Sequence, residues 1–215
     1  QVTLAVGPIF ASRWLIPRLA RFRRSHPDIE LILHHGARIT SVENMTTPVA
    51  IDWGHGEWTG LQAQHLFNIR YVPVVSPALA EQRGGLRQPA DLRRFPIIHQ
   101  HDRTEWKAWA KLAGLTRFDS AEEIVIDDSN VVTGAAIDGQ GVALGIFPFI
   151  DEEVASGRLL RPFDIELEPS RSYHLLSRPG AVKTPEIAAL CNWLIEEGAG
   201  YSALQKSLIS TAPAA

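Results

Sequence analysis

The chain has 215 residues, 45% of them hydrophobic and 21% charged, with a formal net charge of -3. These are ordinary values for a globular chain that buries about 70% of its unfolded surface. The charge is not that of a free-standing nucleic-acid-binding domain, which is usually clearly basic. One cysteine, Cys191, excludes an internal disulfide and a thiolate metal cluster, which fits a reducing cytoplasm. No apolar run approaches the roughly 18 residues of a membrane span, and no basic-then-apolar leader opens the chain. It begins at Gln1 and reads as strand by Val2, so we expect a piece of a longer protein.

Val2 to Val6 reads as a buried strand that runs into Gly7-Pro8. A helix is predicted from about Phe10 to Arg24, with Trp14, Leu15, Leu19 and Phe22 on one side and Pro27 beyond its end. Ile29 to His34 alternates like a strand, and Val49 to Trp53 is a second short one, followed by the loop "GHGEWTG". Leu61 to Val75 is a long extended region ending at Ser76-Pro77, with a short helix to about Gln82 and another over Pro89 to Arg93.

Ile97 to His99 is predicted as a strand. Thr104 to Ala113 follows as a helix closed by Gly114 at C′. Glu123 to Ile126 is a strand, and Asp128 or Ser129 caps a helix that ends before Gly139. Val142 to Phe147 is a strand, Pro148 to Ser156 a helix stopped by Gly157, and Ser172 to Ser177 the last strand. Thr184 and Pro185 start a helix to about Glu197, and Ser210 to Ala215 reads as frayed. Strands alternating with helices predict an α/β chain with largely parallel sheets. Tyr71 to Val75 and Tyr173 to Ser177 are extended, and a proline follows each closely, so both are candidate hinges. If the chain crosses at both, residues 73–173 form one lobe and residues 1–72 with 174–215 the other.

The strand-to-helix turns carry what chemistry the sequence offers. "VGPIFASRWL" and "DDSN" each place small polar residues at a helix start, where they satisfy the first free N–H groups or turn them toward a ligand. His99 and His101 are two apart and on a strand would share a face. They are expected in the wall of a polar cleft rather than on a metal, since no further ligands fall at recognised spacings. "GQGVALG" follows a helix and enters a strand, the reverse of the dinucleotide-binding order. No nucleophile elbow or phosphate loop is present. Arg13, Arg18, Arg21, Arg23 and Arg24 crowd the first helix as a solvated face or as a face that meets a partner.

The stretches "PIFASRWLIPRLARFRRSHPDIELIL", "AIDWGHGEWTGL", "VVSPAL", "ADLRRFPIIH", "EWKAWAKLAGL", "DDSNVVTGAAIDGQGVALG" and "GRLLRPF", in that order over residues 2 to 198, resemble the effector-binding domain of LysR-type transcriptional regulators. The branch resembled is that of glycine-cleavage and β-lactamase regulators. The resemblance implies two Rossmann-like lobes joined by two crossing strands, type 2 periplasmic-binding-protein-like, with a small molecule bound between them. It implies no catalysis and no cofactor or metal. It implies a homodimer, tetrameric in a full-length cytoplasmic protein, in which the first helix packs on a second subunit. DNA would be contacted only through an N-terminal winged helix-turn-helix outside these residues. Carried over position by position, the ligand contacts are Ile9, Phe10, Ala11, Ser12, Arg13, Asp52, Trp53, His99, His101, Asp128, Ser129, Asn130, Phe147 and Tyr173.

The branch usually has a basic residue where this chain has Asp52. A ligand with a carboxylate near Ser12 or Ser129 and a cation near Asp52 would fit, as in an amino acid or a modified peptide, unless Asp52 pairs with Arg13 or another local base; the effector classes expected are an amino acid, a carboxylate or a cell-wall fragment. Two alternatives differ in class. A transport solute-binding protein would share the architecture. An enzyme related to prephenate dehydratases would explain Thr116-Arg117-Phe118, which lacks that family's surroundings here.

Overall fold

The computed structural model describes residues 1–35, 39–120 and 122–210, with backbone alone over 202–210. The chain opens with β1 (Val2–Val6) and a helix whose first part, Phe10–Leu15, is a wide π-type turn continuing into α1 (Ile16–Ser25). Next come β2 (Leu31–His34), β3 (Val49–Gly54), β4 (Gln62–Phe67), β5 (Arg70–Val74) and α2 (Pro77–Gln82). A 3-10 turn over Pro89–Arg94 leads to β6 (Ile97–Gln100), α3 (Thr104–Leu112), β7 (Glu123–Ile126) and α4 (Ser129–Ile137). The chain ends with β8 (Val142–Phe147), α5 (Asp151–Ala155), β9 (Ser172–Ser177) and α6 (Pro185–Ser210).

These elements divide into two compact units, Gln1–Asn68 with Ser170–Ala215, and Ile69–Pro169. The first holds a five-stranded sheet in the order β2-β1-β3-β9-β4. β1 pairs in parallel with β2 and β3, while β9 runs antiparallel to β3 and β4. The central strands read as continuous apolar runs because both their faces are covered. Ala5, Met45, Ala50, Trp58 and Leu176 form one cluster, in which the Trp58 indole donates to the Ile39 carbonyl at 3.0 Å. Phe10, Trp14 and Phe67 form an aromatic group, with ring centroids 4.8 to 5.6 Å apart.

The second unit holds a four-stranded sheet in the order β5-β8-β6-β7, in which β6 is parallel to both neighbours and β5 is antiparallel to β8. β8 is buried at every position. Gly145 lies within it because a Cβ would come 2.3 Å from Ile150 and 3.0 Å from Val74. Trp106 and Trp109, three apart on α3, are fully buried and donate to the carbonyls of Ile98 (2.9 Å) and Ile165 (3.0 Å). α3 closes on Gly114 at φ 72°, the left-handed backbone that glycine supplies at C′.

Several expectations change. The sheets are mixed rather than largely parallel, because β5 and β9 each join their sheet without a helical crossover from a neighbouring strand. The candidate hinges Tyr71 to Val75 and Tyr173 to Ser177 lie in β5 and β9, inside one sheet each, and the two units expected to divide at 72/73 and 173/174 divide at Asn68–Ile69 and Pro169–Ser170. The extended region 61–75 is two strands. α5 is shorter than Pro148 to Ser156, because its first residues form a turn in which Phe149 donates to the Ile146 carbonyl. α6 passes through Gly198 instead of stopping before it. That glycine lets the helix approach the Leu66 carbonyl, 3.1 Å from where a Cβ would stand. The frayed stretch lies, after Ser210, outside the described residues.

Candidate functional site

In open α/β sheets, ligands bind beyond the carboxyl ends of parallel strands. In the first unit that end is built by the turn after β1 and by the end of β3. Ala11 donates its N–H to the Gly7 carbonyl at 3.0 Å, and Ile16 to Ala11 five residues back. The widened turn suits Pro17, which has no N–H for the usual i→i−4 ladder and whose ring crowds the carbonyl of Arg13. π-type turns of this kind recur at functional sites. The turn buries Ile9 and Phe10 completely enough to make them core, leaves Ala11 and Arg13 half-buried, and exposes Ser12. Ser12 Oγ lies 3.4 Å from the Ile9 carbonyl and donates to it.

Asp52 and Trp53 are half-buried at the end of β3. The Asp52 carboxylate accepts the N–H of Ile39 at 2.9 Å and of Trp53 at 2.8 Å, so it fastens the preceding loop to the strand. Trp53 stands opposite Tyr173 in the β3–β9 register, their rings 5.0 Å apart. Tyr173 also packs on Phe10 at 5.0 Å, so it joins the exposed end to the aromatic core.

The second unit presents the ends of β6, β7 and β8. Here the shared face expected for His99 and His101 does not form. β6 ends at Gln100, and His101 takes a left-handed backbone (φ 61°) that turns the chain. His101 is exposed, whereas His99 is 1% exposed, with Nε2 3.6 Å from Glu123. Burial pushes the His99 pKa below its ordinary value against the pull of Glu123. Arg103, 2.7 Å from Glu123, holds that carboxyl below its usual range. Phe147 is 8% exposed and belongs to the core, with the Arg161 guanidinium 5.8 Å from its ring centre.

At α4 the cap is Asp128. Its Oδ1 accepts the N–H of Asn130 at 2.8 Å and of Val131 at 3.1 Å. The helix start is therefore already matched to a carboxylate of the chain itself, which disfavours a second carboxylate at Ser129. Ser129 is instead held by Gln100, whose Nε2 hydrogen-bonds to Ser129 Oγ. Gln100 was not among the residues singled out, although it sits between both flagged histidines in "HQH". Its Oε1 is buried without a hydrogen-bond partner among the described residues. Among the described residues, no group of three or more His, Cys, Asp or Glu side chains is placed to hold a metal. Thr116-Arg117-Phe118 lies in a loop, where Phe118 stacks on Trp106 at 5.1 Å and Arg117 pairs with Asp119 at 3.2 Å. No described helix is long and apolar enough to cross a membrane.

The model of the LysR substrate binding domain matches residues 1–199. The chain is 30% identical over 198 residues to the glycine cleavage system transcriptional activator of Escherichia coli K12, covering 92% of this chain and 65% of that protein. It is 32% identical over 199 residues to the transcriptional activator AmpR of Citrobacter koseri, covering 91% of this chain and 66% of that protein. The chain thus spans about 65% of the length of these relatives. Among solved structures, the effector domain of AmpR from Pseudomonas aeruginosa superposes with a TM-score of 0.83 at 30% identity, covering 95% of this chain and 98% of that one. These relatives are transcriptional regulators rather than transport proteins or enzymes, and their effector domains have the periplasmic-binding-protein-like type 2 fold. The chain belongs to the LysR substrate-binding domain family, as an effector-binding domain.

Proposed function

We propose that this chain senses a small molecule for a LysR-type transcriptional regulator, and that it binds and does not catalyse. The effector is recognised at the strand ends just described: Ala11, Ser12, Arg13, Asp52, Trp53 and Tyr173 in the first unit, and His101, Asp128, Ser129 and Asn130 in the second. The supporting observation is the state of Ser129. It is half-buried beside a capped helix start, fixed by Gln100, and next to an acceptor with no hydrogen-bond partner among the described residues. Buried polar atoms are normally paired, so such a constellation is a reason to look for a ligand. His99, Phe147, Ile9 and Phe10 support this surface from behind.

Binding that favours one state of the domain shifts its population only by the difference in affinity between states. The whole protein would read that shift as a homodimer, or as a tetramer, and pass it to a DNA-binding part in the cytoplasm. A second copy of the chain is the partner we propose for the Arg-rich face of α1 with exposed Ile16, and for the edge strand β7 with exposed Ile124 and Val125. The function is tested by a thermal-shift screen of amino acids, small carboxylates and cell-wall fragments, because a specific ligand raises Tm by mass action. A hit should lose most of its effect in Ser129→Val. A hit that is indifferent to both Ser12→Val and Ser129→Val contradicts the assignment.

A further inference from the structure

Gln100 lines a small hollow inside the second unit together with Tyr71, Glu105, Trp106 and Val132. Its volume of about 10 Å³ is near the least that holds one water-sized group. Tyr71 and Trp106 are 8% and 2% exposed and give it aromatic walls. Glu105 is half-buried in the first turn of α3 and forms no ion pair among the described residues. Gln100 is fixed at one end by Ser129, and its buried Oε1 has no hydrogen-bond partner among the described residues.

We propose that this hollow is a primary-ammonium pocket, and that the effector carries an –NH3⁺ group recognised there by Gln100 Oε1, the Glu105 carboxylate and the rings of Tyr71 and Trp106. An ammonium is a compact point charge with three donors, close to water in size. A carbonyl-type acceptor, a carboxylate and aromatic faces are the groups that stabilise it. Glu105 is the one carboxylate in the lining, so an anionic group would meet repulsion there. Val132 closes the hollow with apolar surface, which limits competition from solvent. This inference rests on reading the end of the second unit as effector-binding, and it narrows the ligand class for that end.

The test uses the 215-residue chain labelled with ¹⁵N and three probes matched in size: propylammonium, propionate and propanol. Propylammonium should move the Trp106 indole and Gln100 amide signals saturably, while propionate should not and propanol should act only weakly. Gln100→Leu and Glu105→Gln should each weaken propylammonium by about tenfold, the scale of a lost charge-assisted hydrogen bond. Gln100→Glu keeps an acceptor and adds charge, so it should bind at least as tightly as the parent, which separates a lost contact from a damaged fold. Equal response to propanol and propylammonium overturns the proposal in favour of an ordered-water site, and absence of a saturable response overturns it outright. If a screened effector still depends on Ser129 in that case, the ammonium pocket alone has failed. If the effector ignores Ser129 as well, the reading of this end has failed with it.

Discussion

Asp128 and His174 show how a single side chain sets the local energetics. Asp128 holds two N–H groups at the start of α4, so Asp128→Ala should cost about 1 kcal/mol in urea unfolding. His174 is 7% exposed, packed on Trp58 at 5.2 Å, and faces His65 across the β4–β9 ladder at 5.5 Å. Burial first, then the His65 charge, pushes its pKa below the ordinary value, while its hydrogen bond to Ser172 pulls the other way. The unfolded chain protonates this histidine near pH 6.5, and the folded chain resists, so the unfolded state binds more protons in acid. Stability should therefore hold above about pH 6.5 and fall as pH drops through the lower folded value. His99 contributes in the same direction. His174→Phe should flatten the pH dependence of the urea midpoint between about pH 7 and 5, and an unchanged slope would assign it elsewhere. At this scale the sequence is legible where the chemistry is local. A cap acts within three residues, so the Asp128 turn could be read, whereas burial of His99 and the role of Gln100 depend on contacts from β7 and α4.

At the scale of elements, strong periodic segments could be read because their neighbours on the same strand or helix decide them. β1, β8 and α3 are such cases, and each glycine stop at 114, 139 and 157 adopts the positive φ that a stop requires. Failures came where tertiary packing overrules a local signal. The last helix is expected to end at about Glu197, yet α6 continues through Gly198, whose close approach to Leu66 needs a residue without Cβ. The direction of β5 and β9 was hidden because nothing local to a strand fixes which partner it joins. Gly145 gives an element-scale test. Gly145→Ala places a methyl against Ile150 and Val74 in the centre of the second sheet, and overpacking of this kind costs about 1–3 kcal/mol. A lowered denaturation midpoint with an unchanged m-value is the expected outcome.

Across the whole molecule, the family order of motifs was legible over nearly the full chain, and the match over residues 1–199 agrees with it. The ligand was not legible, because one fold serves many sites. Asp52 illustrates the difficulty: it stands where the resembled branch has a basic residue, which left ligand contact and internal pairing both open, and its carboxylate accepts the N–H groups of Ile39 and Trp53. For the assembly, Ile124→Lys places a charge on an exposed edge strand and should lower the apparent mass of the chain in light scattering if that edge meets a second copy. The central claim is effector binding at the strand ends of the two units, and calorimetric titration of a screened effector into the parent, Ser12→Val and Ser129→Val chains tests it most directly. The account predicts saturable binding to the parent and a loss of about tenfold in each variant, the scale of one hydrogen bond to a charged ligand group. Undiminished affinity in both variants would contradict it.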